Sequence, residues 1–546
     1  MTTPVSRPFA TADVPSIPLV VTPDEGSAKL DASAVPYASA NLTVPLVDLD
    51  MIELLDPRDG LRVVLDAGDE ISGTSRTFDL GLRERVVDHA ARTVTLQMAG
   101  DEALLIDYHP LVPDTGSRAH ESSLRAVCNY VLGKIGASLA AGTADVDVHA
   151  YWSVTNAVTN PLADTTTGFT VEANATNLTA GPGIAPVIGT QYLVFRSVGA
   201  GPSYLSAPGT LSVRPGQTIT ASAYMHGDVA GRTGQAVIRF LDAAGAEILA
   251  TFGAPQALPS TAWARVVLTT VVPPSADRAV LLVRHNATGA NQAVGMDAPM
   301  LHAGAEPVAP FTGSTAATAT YTYAWQGVAN ASAATRTPAS ERLPESFVWP
   351  PDVSAWDFLE PFTAQAGFRL FCDESRVWRL VDPATYTAPG VLALQGGYAT
   401  EGSDAIALGD PEVYATGVVV RYRWEADGGQ YERIDSAGVP GLVRVIPINR
   451  PYPGPGLAAA VLSRMTGRGR VQDVTALADW TASPGMSATI TLPGTLDQTG
   501  QVRSIEWGLT SGLMAVTTAA LIDIIPGSID ALTGTIDALT GTIDSL

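Results

Sequence analysis

A long succession of short, alternating segments in the middle of the chain constrains the fold most. From about Asn156 to Gly313, strand candidates recur roughly every 10 to 20 residues and are separated by turns rich in glycine and proline. Helical periodicity is almost absent from this stretch. The pattern is typical of a β-sandwich, and we expect a jelly roll.

One strand in this stretch predicts two faces of different character. Successive side chains of a strand point to opposite sides of its sheet, so the residues from Thr218 to His226 divide into two sets. We expect one set to lie in the core: Ile219, Ala221, Ala223 and Met225. We expect the other set to remain free for binding: Thr220, Ser222, Tyr224 and His226.

The β pattern continues on both sides of this stretch, with a few short helices. The apolar spacing from Leu124 to Ile135 predicts an amphipathic helix over 122–136, with Cys128 on its buried side. A second helix is predicted over 353–366, followed directly by a hairpin around Asp373–Arg376. The sequence therefore predicts a mainly β, multidomain protein.

Charge argues against two classes of partner. The chain has 32 basic and 54 acidic residues, a formal net charge of −22. It therefore lacks the cationic surface that neutralises phosphates, and we expect neither nucleic acid nor anionic membrane as a partner. No run of 18 apolar residues predicts membrane insertion, and Met1–Val21 lacks the pattern of a signal peptide. We expect synthesis and initial folding in a cytoplasm.

Catalytic and metal-binding motifs are missing at the level of local spacing. The seven histidines include no pair at zinc-ligand spacing, and His120-Glu121 is followed by Leu124 where a metalloprotease helix needs its second histidine. We therefore predict no metal, no cofactor and no catalytic residue. A glycosidase needs only two suitably placed carboxylates, so a glycan hydrolase remains an alternative.

Aromatic and polar residues in the predicted sandwich provide a candidate glycan site. Aromatic rings can pack on the apolar faces of sugars while polar side chains bind the hydroxyls. The candidate residues are Tyr192, Tyr224, His226, Arg239 and Trp263. Phe195, Tyr204 and Arg284 belong to the same wider set. The alternative is that most of these rings are core residues, as aromatics are in any sandwich.

The C-terminal tail carries an exact repeat of seven residues, IDALTGT, at 529–535 and again at 536–542. A seven-residue apolar period predicts a coiled coil. Ile529, Ile536 and Ile543 would occupy position a, and Leu532, Leu539 and Leu546 position d. Glycine and threonine in the repeat weaken an isolated helix, so a flexible or locally packed tail is the alternative.

Two segments carry resemblances to known families. Asn160-Pro161-Leu162, together with Met296-Asp297-Ala298-Pro299, resembles the two ends of a carbohydrate-binding jelly roll of the CBM4/9 type. Leu162 and Ala163 depart from the family's small residue followed by an aromatic. The module therefore has two possible roles, sugar binding and spacing.

The flanking regions resemble minor tail proteins of long-tailed actinobacteriophages, in which such modules are inserted. Tyr321-Thr322-Tyr323-Ala324-Trp325 is similar to the junction after the module, while Glu84–Tyr108 and Trp356–Asp382 are similar to the two halves of the tail hub. The resemblance implies a homotrimer on the tail axis, docked to a distal tail protein and other tail-tip proteins. It further implies a virion protein of the tail tip, assembled in the host cytoplasm, that contacts host cell-wall glycan.

These inferences give one predicted organisation. The split tail-hub domains occupy 1–155 and 351–525, the inserted jelly roll 156–317, a linker 318–350 and the heptad tail 526–546. The predicted function is a non-enzymatic tail-tip protein that attaches to glycan. The alternatives are a cell-wall glycan hydrolase with a binding module and a bacterial adhesin, although the latter lacks a signal peptide and an anchor.

Truncation after Pro526 tests the heptad prediction, because it removes all six a and d residues. If the seam assembles the protein, the truncated chain has a lower oligomeric mass in light scattering than the full chain of 56.6 kDa per copy. An unchanged oligomeric state would show that the repeat does not assemble it.

Overall fold

The computed structural model describes residues 6–17, 19–47, 50–181, 183–383, 385–395, 399–405, 414–426, 429–466, 471–492 and 496–523. The described residues are 46% strand and 11% helix, and they form a mainly β fold of several antiparallel sheets with a few short helices. This confirms the predicted fold class. The heptad residues, from Ile529 to Leu546, lie outside the described residues.

The first part of the chain forms a meander of strands followed by short helices. Its elements are β1 (Pro8–Val14), β2 (Leu19–Val21), β3 (Glu25–Asp31), β4 (Ala38–Pro45), α1 (Asp50–Leu54), β5 (Arg62–Asp69), β6 (Thr74–Asp88), β7 (Thr93–Ala99), α2 (Glu102–Asp107) and α3 (Leu124–Leu132). Strands β6 and β7 form a hairpin in which Asp88 lies opposite Thr93. Ser123 caps α3 by accepting a hydrogen bond from the Ala126 N–H at 3.1 Å.

The middle of the chain consists of strands. They are β8 (Val154–Asn156), β9 (Thr170–Glu172), β10 (Ala175–Gly181), β11 (Tyr192–Ser197), β12 (Gly201–Ser206), β13 (Leu211–Ser212), β14 (Thr218–Gly227), β15 (Arg232–Leu241), β16 (Glu247–Phe252), β17 (Gln256–Leu258), β18 (Ala264–Val271), β19 (Arg278–Ala287) and β20 (Ala293–Ala303).

The last part mixes strands with two helices. Its elements are β21 (Tyr321–Trp325), β22 (Ala334–Pro338), α4 (Ala355–Gln365), β23 (Arg369–Cys372), β24 (Trp378–Val381), β25 (Val391–Gln395), β26 (Ala399–Ala405), β27 (Gly417–Ala426), β28 (Gly429–Gly438), β29 (Val443–Ile448), α5 (Leu457–Thr466), β30 (Val471–Leu477), β31 (Ser487–Thr491), β32 (Gln498–Gly508) and β33 (Leu513–Asp523). Short 3₁₀ turns lie at Pro57–Asp59, Gly116–His120, Gly133–Ile135 and Pro344–Phe347.

One large sheet unites the two ends of the chain. Its strand order is β2-β1-β5-β6-β7-β4-β3-β32-β33-β30-β26, and β31 and β25 extend from β32. The antiparallel pairing of β3 with β32 joins Ser27–Asp31 to Ser504–Gly508. Trp507 packs in the shared core against Phe78, with ring centroids 6.0 Å apart. We call this sheet and the elements packed on it the body.

A second core also combines residues from both ends of the chain. The buried face of α3 packs with α4 and with the hairpin of β23 and β24. Cys128 and Cys372 are both fully buried in this core as free thiols. Burial raises the pKa of Cys128 to about 12, so this thiol stays protonated and unreactive. A third core lies between α5 and the sheet β28-β27-β29.

The middle strands form two sheets packed face to face. Their orders are β10-β11-β20-β14-β18 and β16-β15-β19-β12-β9, with β13 paired to β19 and β17 to β15. We call them the five-stranded and the seven-stranded sheet. Their inner faces share one apolar core. This is the sandwich that the sequence predicts.

A small sheet connects this sandwich to the body. Strand β8, before the sandwich, pairs with β22, after it, so that Asn156 lies opposite Ala334. Strand β21 pairs with the other edge of β22. Both strands after the sandwich belong to 318–350, which the sequence predicts as a linker. The predicted domain boundaries themselves stay predictions.

The two predicted faces of β14 have different outcomes. Ile219, Ala221, Ala223 and Met225 are fully buried in the core, as expected. The expectation that the opposite side is free is wrong for Thr220, Ser222 and His226, which are buried. The chain after β20 covers part of this side: Thr220 donates to the Gly304 carbonyl at 2.8 Å, and Arg265 joins Ser222 to the Val308 carbonyl. Tyr224 remains half-exposed.

A buried carboxyl group lies between the two ends of the chain. Oε1 of Glu102 accepts hydrogen bonds from the Tyr37 N–H at 3.2 Å and the Cys372 N–H at 2.9 Å. Oε2 is buried and has no hydrogen-bond partner in the structure. Burial raises the pKa of Glu102 to about 7, because the charged form loses its hydration.

Glu102 therefore makes stability depend on pH. Its raised pKa means that the folded chain retains a proton that the unfolded chain has already released, so stability falls as pH rises from about 4.5 to about 7. When the pH is raised from about 5.5 to about 8, the unfolding free energy of the wild-type protein should fall. We expect this fall to exceed that of Glu102→Gln by about 2 kcal/mol. Denaturant unfolding at both pH values measures this, and parallel pH profiles would contradict it.

Candidate functional site

Three of the five predicted glycan residues form one aromatic cluster on the outer face of the five-stranded sheet. The ring centroids of Tyr192 and His226 are 4.9 Å apart, those of Tyr192 and Trp263 5.1 Å, and those of His226 and Trp263 4.7 Å. Gly295 lies opposite His226 in the sheet. A Cβ atom at this glycine would lie 2.2 Å from Nε2 of His226, so the cluster needs a residue without a side chain there.

The loop between β10 and β11 lies over this cluster. Nε1 of Trp263 donates to the Ala185 carbonyl at 2.8 Å, and the Ile184 N–H donates to the Tyr192 hydroxyl at 3.3 Å. Only 3% of Tyr192 and 8% of His226 remain exposed. Tyr192 and Trp263 thus use their polar atoms within the protein, whereas Nε2 of His226 is buried without a hydrogen-bond partner in the structure. Sugar binding by this cluster stays a prediction.

A buried carboxylate anchors the same loop. Oδ2 of Asp297 accepts hydrogen bonds from the N–H groups of Val187 at 2.6 Å and Ile188 at 3.3 Å. Burial raises the pKa of Asp297 to about 7 despite these donors. Its hydrogen bonds hold the loop on the outer face of the five-stranded sheet, so its structural role is evident.

Of the other two predicted residues, only Tyr224 shares a sheet with the cluster. Tyr224 is on the same outer face, beside Arg265, whose guanidinium is 5.8 Å from the tyrosine ring centroid. Arg239 is on the opposite sheet of the sandwich and forms ion pairs with Glu172 at 2.5 Å and Glu247 at 3.0 Å. The structure therefore does not combine the five residues in a single site.

The outer face of the seven-stranded sheet carries an aromatic and polar surface. Ala236, Ile238 and Phe240 of β15 point into the core, so Val237 and Arg239 point outward. By the same alternation, Leu282 and Arg284 of β19 point outward. Val237 and Leu282 are only 1% exposed, which shows that larger neighbouring side chains surround them.

Two aromatic rings flank a guanidinium on this face. Arg284 lies 5.9 Å from the ring centroid of Tyr204 and 5.1 Å from that of Phe252. Its Nε is buried without a hydrogen-bond partner in the structure. Phe252 is 44% exposed, and Tyr204 is half-exposed. From here on, the term outer face without further qualification means this surface of the seven-stranded sheet. It is formed by Tyr204, Arg239, Phe252, Arg284 and Glu172.

The outer face combines the groups that sugar recognition requires. Exposed ring surface can pack against sugar C–H groups, while guanidinium N–H groups donate and a carboxylate accepts hydrogen bonds from hydroxyls. The ion pair with Glu172 raises the pKa of Arg239 and holds both side chains in place. Sequence reasoning named Tyr204, Arg239 and Arg284 but missed Glu172 and Phe252, whose short strands show little alternation.

Two other kinds of site find no support in the described part of the chain. No group of three or more histidine, cysteine or acidic residues there is arranged to hold a metal ion. None of the helices within those ranges has the length and apolarity that crossing a bilayer requires.

Comparisons with known proteins give structural neighbours and no family. No protein-family model and no curated protein matches the chain. Neighbours over nearly the full chain are phage tail proteins. The 43 kDa tail protein of prophage MuSo2 from Shewanella oneidensis is 8% identical, with 94% of this chain and 98% of that chain covered and a TM-score of 0.40. A tail protein from Neisseria meningitidis is 7% identical, with coverages of 94% and 96% and a TM-score of 0.38.

Other neighbours match part of the chain. The xylan-binding domain of a Paenibacillus barcinonensis protein is 15% identical, with 29% of this chain and 99% of that domain covered and a TM-score of 0.22. The match to a tailspike protein of bacteriophage CBA120 spans 21% of that protein's chain. At identities this low, similar folds support different functions.

Proposed function

We propose that this chain is a structural, non-enzymatic protein of a phage tail tip that binds host cell-wall glycan through its jelly roll. The observation that carries the proposal is the outer face, with two exposed rings around Arg284 on a sandwich inserted into a split body. The sequence resemblances to tail hubs and to carbohydrate-binding jelly rolls support the same function.

The attachment of the sandwich is consistent with a chain in which the body assembles the tail and the sandwich binds glycan. Strands β8 and β22 lie side by side, so the chain leaves the body and returns to it at neighbouring positions. An insertion of this kind leaves the large sheet and its core continuous. The body can then assemble with other proteins while the sandwich contacts the cell surface.

We further propose the assembly that the tail-hub resemblance implies. The chain forms a homotrimer on the tail axis and docks to a distal tail protein and to other tail-tip proteins, after folding in the host cytoplasm. Three jelly rolls on one particle bind a repetitive glycan by avidity, so that weak individual sites still give firm attachment.

Cell-wall binding by matched variants tests the proposal. We expect Tyr204→Ala to lower sedimentation of the full-length protein with purified actinobacterial cell walls about tenfold, because it removes one of the two ring surfaces. Tyr386→Ala is the control, since this partly buried tyrosine lies in the body and not in the sandwich. We expect it to bind like the wild type.

Three results would contradict the proposal. In the first, the wild-type protein does not sediment with any wall preparation. In the second, both variants bind the walls equally well. In the third, the protein releases soluble sugars from the walls. The last result would favour the glycan hydrolase, particularly if a single Asp or Glu substitution abolished it.

A further inference from the structure

The three-stranded sheet β28-β27-β29 has one covered side and one open side. Alternate residues of β27 from Val418 to Tyr422 are buried against α5, so Val419 and Arg421 point to the opposite side. The strand pairing places Ile434 of β28 and Val445 of β29 on that side as well. We call this side the open face, and it is formed by Val419, Arg421, Ile434, Val445 and Pro447.

The open face is largely apolar, and the described part of the chain leaves it uncovered. Ile434 is 53% exposed and Val445 is 55% exposed. Strands β27 and β29 form a parallel pair, and parallel strands are usually covered on both sides of their sheet. The exposed apolar side of this pair therefore indicates that a further segment packs on it.

One guanidinium on the open face has little charge compensation. Glu432 accepts a hydrogen bond from Nε of Arg423 at 2.7 Å but lies 3.9 Å from Nε of Arg421. Nε of Arg421 has no hydrogen-bond partner in the structure. The open face thus presents a cationic group in a chain whose formal net charge is −22, and an acidic segment would complement it.

The described chain ends within reach of this sheet. Thr518 of β33 lies opposite Gln472 near the start of β30, so β33 continues past β30 to Asp523. It continues on the side from which the chain arrives from α5, because the two strands are antiparallel. The five peptide steps from Thr466, at the end of α5, to Val471 span at most about 18 Å. The residues after Asp523 therefore begin close to α5.

The last turns of α5 lie at the edge of the sheet where the open face begins. A Cβ atom at Gly438, the last residue of β28, would lie 2.8 Å from Cδ2 of Leu462 in α5. Gly438 lies opposite Gly417, the first residue of β27, which also pairs with Val443. Val445 is two residues further along the same strand. A segment that starts beside α5 can therefore continue along the open face.

The C-terminal repeat matches the open face in character and in length. Residues 529–546 lie outside the described residues; they carry isoleucine and leucine at seven-residue spacing, three aspartates and no basic residue. The helix that this repeat predicts would be about 27 Å long, and the ten residues of β27 extend over about 33 Å.

We propose that the repeat at 529–546 packs on the open face of its own chain. Its isoleucine and leucine side chains contact Val419, Ile434 and Val445, and its aspartates lie near Arg421. This contact removes apolar side chains from water on both partners, which favours it. The repeat then acts within one copy, as the locally packed form of the tail. The proposal goes beyond glycan attachment and does not depend on it.

Thiol labelling of the full-length protein tests the proposal. The two native cysteines are fully buried, so a cysteine introduced on the open face is the one that reacts with a maleimide. We expect Val445→Cys to react about tenfold more slowly in the full-length chain than in the chain truncated after Pro526, because the docked repeat covers it. Leu532→Asp combined with Leu539→Asp should raise the rate in the full-length chain to that of the truncated chain.

Two further variants control the measurement. Val20 is 67% exposed on β2, at the opposite edge of the large sheet from β30 and β33, so Val20→Cys should react equally fast in both chains. Ile434→Cys repeats the measurement on β28 if Val445→Cys changes the near-ultraviolet circular dichroism spectrum.

Three outcomes would overturn the proposal. In the first, the cysteine on the open face reacts equally fast in the full-length and truncated chains. In the second, it reacts as slowly in the truncated chain as in the full-length chain, which would show that something other than the repeat covers the face. In the third, dilution of the full-length protein removes the protection, which would show that another copy provides the cover.

Discussion

The antiparallel pairing of β3 with β32 is the interaction on which the rest of the structure depends. It places Ser27–Asp31 beside Ser504–Gly508, so that strands from the two ends of the chain form one sheet. Trp507, which this pairing positions, lies between Phe78 and the stacked ring of Trp480 in the shared core. Because the ends are joined in this way, the segment between β8 and β22 must leave the body and return to it.

The sandwich meets this requirement and acquires two unlike outer faces. The five-stranded sheet is covered by the chain that follows it and by the loop over Trp263, so that Thr220, Ser222 and His226 are buried. The seven-stranded sheet keeps exposed ring surface at Phe252 around Arg284. The covered face therefore stabilises and attaches the module, while the other face stays open to solvent at Phe252.

Local features were predictable from the sequence and distant contacts were not. The alternation in β14, the helix that carries Cys128 and the hairpin around Asp373–Arg376 each depend on residues close in the chain, and all three are present. The burial of His226 depends on a loop more than thirty residues away, and no pattern in β14 signals it. Alternation also cannot assign a strand to one of two sheets, so the sequence does not separate Arg239 from Tyr192 and Trp263.

Removal of the sandwich tests most directly whether the chain is a split body carrying an insertion. Residues 157–333 would be replaced by Asn-Gly, a turn that suits a two-residue hairpin between the neighbouring strands β8 and β22. We predict that the shortened chain unfolds cooperatively and keeps the near-ultraviolet circular dichroism of its packed tryptophans. A chain without fixed tertiary structure would show that the sandwich is an integral part of the body, and would contradict this account.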